Sequence, residues 1–239
     1  MNKICVVRYG FHPPVLEQRR RVIKRVFDLV IAGTALLLLS PVFLILALAI
    51  KLTSKGPVFY RGERVGLNGR LFRICKFRTL VVDAEARGIS PVSDHDPRIT
   101  ALGARLRKYK LDELPQLINV FVGDMSLVGP RPEVKQFVDL YTEEEKAILT
   151  VRPGITDWAS LQFHDQEQII AASGIADPTE AYLKLIRPEK LRLQLQYVRE
   201  RSLGVDVRLL FLTAGRLLSS RFGSGKAKGN PVSPSQAKA

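Results

Sequence analysis

From Leu29 to Ile50 the chain runs for 22 residues without a charge. As one straight helix this run would reach about 33 Å, against a bilayer hydrocarbon core of about 30 Å. Its length alone predicts a membrane helix. Ser40-Pro41 lies near the middle. Proline removes the hydrogen bond to the Leu37 carbonyl and pushes Ser40 away from helical angles. The arms Leu29–Leu39 and Val42–Ile50 would then reach about 14–16 Å each, roughly half the core.

The charges at the two ends bear on topology. Arg19, Arg20, Arg21, Lys24 and Arg25 precede the run, and Lys51, Lys55, Arg61 and Arg64 follow it. Orientation depends on an asymmetry in Lys and Arg that is almost absent here, so both ends favour the cytoplasmic side. A re-entrant hairpin with a break at Ser40-Pro41 satisfies that preference. A kinked but spanning helix stays open, since proline is tolerated in membrane helices. Ala47-Leu48-Ala49 mimics a signal-peptide cleavage site, but the apolar stretch exceeds the usual length of about 7–15 residues.

Beyond this segment the pattern changes. Lys55-Gly56-Pro57 marks a turn. Val58–Tyr60 and Leu71–Lys76 read as short strands around Gly66-Leu67-Asn68-Gly69, a hairpin signal. From Ile99 to Val122 the apolar residues recur at three- and four-residue steps, with Pro115 as a kink or a helix start. A loop rich in Gly and Pro follows (Gly129-Pro130-Arg131-Pro132), then a helical stretch over Thr142–Leu149. Residues 178–203 read as an amphipathic helix with Leu191, Leu195 and Val198 on one stripe. Val205–Leu218 is apolar but too short to span, and suits docking on the core or lying in the membrane interface. Residues 223–239 are Ser, Lys, Gly and Pro without periodicity, a disordered tail. No internal repeat is found.

Composition narrows the function. The 239 residues are 46% apolar, enough for a substantial core, and carry a net charge of +14. Such an excess points to a polyanion: nucleic acid, an anionic membrane surface or phosphorylated substrates. Cys5 and Cys75 stand far apart, which implies no disulfide framework and suits a reducing compartment. His12, His95 and His164 are scattered, which argues against a histidine–cysteine metal site.

Polar residues suited to phosphate cluster between positions 61 and 154. Lys76-Phe77-Arg78-Thr79 puts two cations on one face of an extended segment. Asp96-Pro97-Arg98-Ile99-Thr100 is a turn into a helix that Thr100 can cap. Arg105, Arg107 and Lys108 precede two adjacent acids in Asp112-Glu113-Leu114-Pro115-Gln116. Gly123-Asp124-Met125-Ser126-Leu127-Val128, the Gly129–Pro132 loop and Arg152-Pro153-Gly154 complete the set. Taken singly these motifs have plain readings: an acidic pair at a helix start complements the helix dipole, and an arginine between prolines is an extended linker.

Together and in this order, the residues resemble the bacterial sugar transferase family, the monotopic phosphoglycosyl transferases. The resemblance runs from about Arg20 to Leu218 and is densest at Lys76–Thr79, Asp96–Thr100 and Leu111–Pro132. Leu80, where the family usually has methionine, and Asp157-Trp158 depart from the pattern, and the second bears on substrate preference.

The resemblance implies a membrane enzyme that transfers a sugar 1-phosphate from a UDP-sugar to polyprenyl (undecaprenyl) phosphate and releases UMP. Such a reaction initiates exopolysaccharide, O-antigen or related glycoconjugate assembly. Asp112 would be the nucleophile that forms an aspartyl phosphosugar. Glu113 would help bind magnesium or handle protons, so that Asp112 and Glu113 are also the implied metal ligands. Lys76, Arg78, Arg98, Arg107, Arg131 and Arg152 are candidate phosphate contacts. A carboxylate that approaches a diphosphate meets like charge, costing about 4 kcal/mol per pair at about 4 Å and an effective dielectric near 20. Mg2+ and arginine forks are suited to offset this.

The expected architecture is mostly α with a small β-hairpin (α+β). A lead-in (1–18) precedes a re-entrant membrane helix-break-helix (19–56), a cytoplasmic catalytic domain (57–203), an interfacial or packing helix (204–222) and the tail. The expected location is the cytoplasmic face of the bacterial inner membrane, with membrane lipids as partners, no nucleic acid, and a homodimer left open. Two other functions compete with this reading. A glycosyltransferase that moves the sugar without its phosphate would release UDP instead of UMP. A basic adaptor or nucleic-acid binder fits poorly, because the cations alternate with acids and prolines and form no exposed aromatic–basic face.

Overall fold

The computed structural model describes residues 15–82, 84 and 96–222. Most of the expected lead-in, the whole expected tail, and Cys5, His12 and His95 lie outside the described residues.

Helix α1 (Val15–Thr53) is a single helix of 39 residues with Pro41 inside it. The chain thus stays helical where a break was expected. Pro41 lacks an N–H and so frees only the Leu37 carbonyl, and the Ser40 hydroxyl donates to that carbonyl at 2.8 Å. Neighbouring hydroxyls are a recognised way of filling such a gap. One stripe of α1 packs on the rest of the chain. Phe27, Ile31, Ala32, Leu36 and Leu39 join one core cluster, and Phe43, Leu46 and Ile50 join another. Both arms therefore touch the body. The opposite face is bare: Leu37, Leu44 and Leu52 are 75%, 71% and 77% exposed.

Strands β1 (Phe59–Val65) and β2 (Leu71–Phe77) pair antiparallel, from Phe59 opposite Phe77 to Val65 opposite Leu71. The hairpin read from sequence is present, and its first strand extends five residues beyond Tyr60, to Val65. Its turn carries Asn68 in the left-handed region (φ 55), where asparagine is at home. Phe77 stacks on Phe59 at a centroid distance of 5.5 Å and meets Phe43 of α1 at a tilt, at 5.4 Å.

The helical stretch before Val122 divides. Helix α2 (Ala101–Lys108) is capped by Thr100, whose side chain accepts from Gly103 N at 3.0 Å. A single 3-10 turn holds Leu111–Glu113, and α3 spans Gln116–Val122 with Pro115 at its start. The α3 C-terminus is tied to α1, because Arg25 donates to the carbonyls of Val120 (2.5 Å) and Phe121 (2.8 Å).

A second two-stranded sheet, which the sequence did not suggest, pairs β3 (Ser126–Val128) with β4 (Gly154–Thr156) in parallel. It works because Gly129 and Gly154 lie back to back. A Cβ on Gly154 would come within 2.0 Å of Gly129 N, so a side chain there has no room.

Helix α4 (Lys135–Val138) and a 3-10 stretch over Glu145–Thr150 lie between these strands. The latter replaces the α-helix expected over Thr142–Leu149. Thr142 and Glu145 cap each other at 2.8 and 3.3 Å, but Pro153 soon forces the chain extended. Helices α5 (Trp158–Gln162), α6 (Gln166–Ala172) and α7 (Pro178–Ala181) follow. A π-helical turn over Tyr182–Ile186 joins α7 to α8 (Arg187–Glu200). Pro188 accounts for this wider turn, since it gives no N–H to the Lys184 carbonyl. On α8 the buried positions are Lys190, Leu191, Leu193, Gln194 and Tyr197, so only Leu191 of the expected stripe is fully buried. Helix α9 (Leu203–Phe222) closes the body. Its Leu209 is fully buried, and Tyr197 donates to Asp206 at 2.8 Å.

Candidate active site

The 3-10 turn after α2 brings the acid pair to the floor of a cavity of about 470 Å3. Lys110 enters this turn in the left-handed region (φ 54) and turns the chain out of α2. Asn119 of α3 bonds to the hairpin: it accepts from Cys75 N at 2.7 Å and donates to Arg73 O at 2.9 Å. Helix α3 is thereby locked to β2, the strand that carries Lys76.

Asp112 is 7% exposed, and its Oδ1 is buried without a hydrogen-bond partner. Burial, and then Glu113, push its carboxyl above the ordinary range. Glu113 behaves oppositely. Burial alone would raise it, but Arg131 and Lys76 outweigh that and hold it well below the usual carboxylate range. Lys76 Nζ reaches Glu113 Oε1 at 2.9 Å, and Arg131 donates to the same oxygen. Adjacent acids thus have opposed environments, one ion-paired and one buried without a partner.

Arg131 is placed through its backbone as well as by its prolines. Its N–H faces Asp157 Oδ2 at 3.3 Å, and Gln194 Nε2 donates to its carbonyl at 3.3 Å. Its guanidinium also reaches Ile155 O at 3.4 Å. Behind it, Glu133 forms a buried cluster with Lys190, Tyr182 and Tyr141.

Of the expected site residues, Asp112, Glu113, Lys76, Arg107 and Arg131 line the cavity. Three expected cations lie elsewhere. Arg78 packs against the end of α1, donating to Ser54 O and Oγ at 3.0 and 2.6 Å. Arg98 forks onto Asp96 at 2.6–3.0 Å. Arg152 caps α3 through Gly123 O at 2.9 Å. Asp124, which does not line the cavity, accepts from Asn119 at 3.3 Å.

The cavity also contains groups that the motifs did not flag. Lys110 lines it beside the acid pair. His164 and Glu167 enter from the α5–α6 region, and Arg216 enters from α9. Glu167 pairs with Arg107, and burial lowers the His164 pKa. Only Lys110 had a signal in the sequence, its place two residues before Asp112. The others reach the site through tertiary packing.

The chain is similar to known proteins over most of its length. The bacterial sugar transferase family matches residues 19–220. Over 220 residues the chain is 39% identical to UDP-glucose:undecaprenyl-phosphate glucose-1-phosphate transferase of Escherichia coli (strain K12), covering 89% of this chain and 43% of that protein. It is 38% identical over 200 residues to UDP-N-acetylgalactosamine-undecaprenyl-phosphate N-acetylgalactosaminephosphotransferase of Aeromonas hydrophila, covering 82% of this chain and 44% of that one. With exopolysaccharide production protein ExoY of Rhizobium meliloti (strain 1021) it shares 37% identity over 214 residues, 83% of this chain and 86% of that protein. The chain thus spans less than half of the first two relatives and most of the third.

Proposed function

The chain belongs to the bacterial sugar transferase family, and on that premise we propose that it transfers a sugar 1-phosphate from a UDP-sugar to polyprenyl phosphate through a covalent bond to Asp112. The observation that carries this reading is the contrast within the acid pair: Glu113 is held by Lys76 and Arg131, while Asp112 lines the same cavity with its buried Oδ1 unpartnered. No ion pair or hydrogen bond holding this carboxylate need break before it attacks.

An Asp112 carboxylate oxygen forms a bond to the β-phosphorus. The bond from that phosphorus to the bridging oxygen breaks, and UMP leaves with the electron pair. A phosphate oxygen of polyprenyl phosphate then attacks the phosphorus of the aspartyl phosphosugar, and Asp112 departs as a carboxylate. Lys76, Arg107 and Arg131 face the phosphates and offset the repulsion between the carboxylate and the diphosphate. Arg131 is held at both its N–H and its carbonyl, so little order is lost when it binds.

Asp112 and Glu113 also suit a magnesium ion. One offers an unpartnered buried oxygen and the other a second carboxylate, and Mg2+ commonly takes one or two carboxylates with substrate phosphates. Among the described residues no three His, Cys, Asp or Glu side chains are placed to hold a metal ion together, so its other ligands would come from phosphate and water. When bound, the ion supplies charge neutralisation at the diphosphate.

The membrane arrangement belongs to the same proposal. Helix α1 contains a segment long and apolar enough to cross a bilayer, and only 6% of its most apolar window is buried. Yet both of its arms pack on the body that carries the charged cavity. A straight span would draw that body into hydrocarbon, where charged groups are costly. A re-entrant α1, entering and leaving on the cytoplasmic face of the inner membrane, avoids this. It also brings Asp112 to the level of a lipid-borne phosphate.

The test is the nucleotide released. The protein is incubated with polyprenyl phosphate and a panel of UDP-sugars. UMP is the expected product, whereas UDP would mean transfer of the sugar without its phosphate and would defeat the proposal.

A further inference from the structure

Two described non-glycine residues adopt a left-handed backbone, Asn68 and Lys110. Asparagine tolerates that region, and lysine has no such ease. Glycine would make the same turn without crowding its Cβ, so the fold alone gives no reason for lysine at 110. Strain of this kind collects at functional sites. Neither does the dipole of α2 call for it, because Arg105, Arg107 and Lys108 already occupy the last turn.

The second observation is electrostatic. Lys110 lines the cavity. The other cations there have acidic partners: Lys76 and Arg131 pair with Glu113, Arg107 with Glu167, Lys190 with Glu133, and Arg216 with Asp165 at 3.8 Å. Among the described residues Lys110 has no ion-pair partner. It enters the turn that carries Asp112, and Asp112, Glu113 and His164 line the same cavity.

Resting on the reaction proposed above, we infer that Lys110 binds the phosphate that departs with the nucleotide. The phosphorus attacked by Asp112 is served by the cations gathered on Glu113. The neighbouring phosphate gains a negative charge as its bond to that phosphorus breaks. A cation not already neutralised is the group suited to receive that charge. Lysine meets the requirement as a mobile point charge.

The test separates folding from binding. Lys110→Gly relieves the backbone and removes the charge, and Lys110→Arg keeps the charge. UMP binding is measured by calorimetry on the full chain in detergent or nanodiscs, next to thermal unfolding. The expected result is UMP affinity about tenfold weaker in Lys110→Gly, the loss of one charge-assisted hydrogen bond, with an unfolding temperature equal to or above wild type. Lys110→Arg should stay within about threefold of wild type. Transfer from a preformed adduct to polyprenyl phosphate should be unchanged in Lys110→Gly, and slowing confined to that step would assign the contact to the acceptor's phosphate and overturn the inference. Wild-type UMP affinity in Lys110→Gly would also overturn it while leaving the proposed reaction intact. If wild type itself neither bound UMP nor formed an adduct, the reaction would fall and the inference with it.

Discussion

Lys190 Nζ donates to Glu133 Oε1 at 2.6 Å, in a site where the two side chains are only 10% and 3% exposed. Tyr182 donates to the same carboxylate oxygen, and Tyr141 donates to the other at 3.3 Å. Burial would raise Glu133, but Lys190 and then the Tyr182 hydroxyl keep it below the usual carboxylate range. Tyr182 is pushed up to about 12 by burial and stays protonated as a donor. The pair braces the loop that presents Arg131, since Glu133 follows Pro132 and its carbonyl accepts from Val65 N at 3.0 Å.

Breaking this pair on one side should be severe. Lys190→Met leaves a buried carboxylate without its cation, at a cost of about 3–5 kcal/mol. In a chain of this size that corresponds to a fall of roughly 10 °C in unfolding temperature. Adding Glu133→Gln should recover part of the loss. Thermal unfolding of both variants checks this, and a single variant as stable as wild type would contradict it.

Arg131→Lys keeps the charge and loses the paired donors. Activity is expected to fall at least tenfold, with an unfolding temperature within a few degrees of wild type, because the loop is also held by Asp157 and Gln194. Initial rates of nucleotide release, read beside thermal unfolding, decide it. Near-normal rates would rule out a two-pronged grip on phosphate.

Much of this was legible in the sequence, and what was not has physical causes. The hairpin, the Thr100 cap and the start of α3 at Pro115 follow from local rules of turns and caps. The acid pair and Arg131 stood out by their neighbours. The parallel β3–β4 pair did not, because its strands are three residues each and lie far apart in sequence, joined by the closeness of Gly129 and Gly154. Arg78, Arg98 and Arg152 resemble the cavity cations in type and setting. Only the packing shows that Ser54, Asp96 and Gly123 engage them. Pro41 pointed to a break in α1 because its missing N–H was visible, whereas the Ser40 hydroxyl's hold on Leu37 depends on a rotamer.

That hold leaves topology to experiment. In a variant lacking both cysteines, single cysteines are introduced near residues 10 and 60 and probed with an impermeant thiol reagent. Neither should be labelled in intact spheroplasts, and both should be labelled after permeabilisation. Labelling of one end alone in intact spheroplasts would rule out the re-entrant form. Pro41→Leu is expected to raise the fraction of spanning protein, since it restores the backbone hydrogen bond to Leu37.

Magnesium withdrawal by chelation should stop nucleotide release, and added Mg2+ should restore it. Glu113→Gln should need more Mg2+ for half-maximal rate, because one of the two carboxylates is gone. Full activity in excess chelator would remove the ion from the account.

The most direct measurement is on Asp112 itself. Protein is incubated with a UDP-sugar and Mg2+ without lipid acceptor, and the peptide containing Asp112 is examined by mass spectrometry. The expected result is the added mass of the phosphosugar on that peptide, with release of an equivalent of UMP. The adduct should be chased off by polyprenyl phosphate. It should be absent in Asp112→Ala, and nearly absent in Asp112→Glu, where one methylene misplaces the attacking oxygen by about 1 Å and costs on the order of 10²-fold. In Glu113→Gln it should form slowly but on the same residue. No adduct on wild type, together with kinetics that require both substrates bound before UMP appears, would contradict the covalent mechanism.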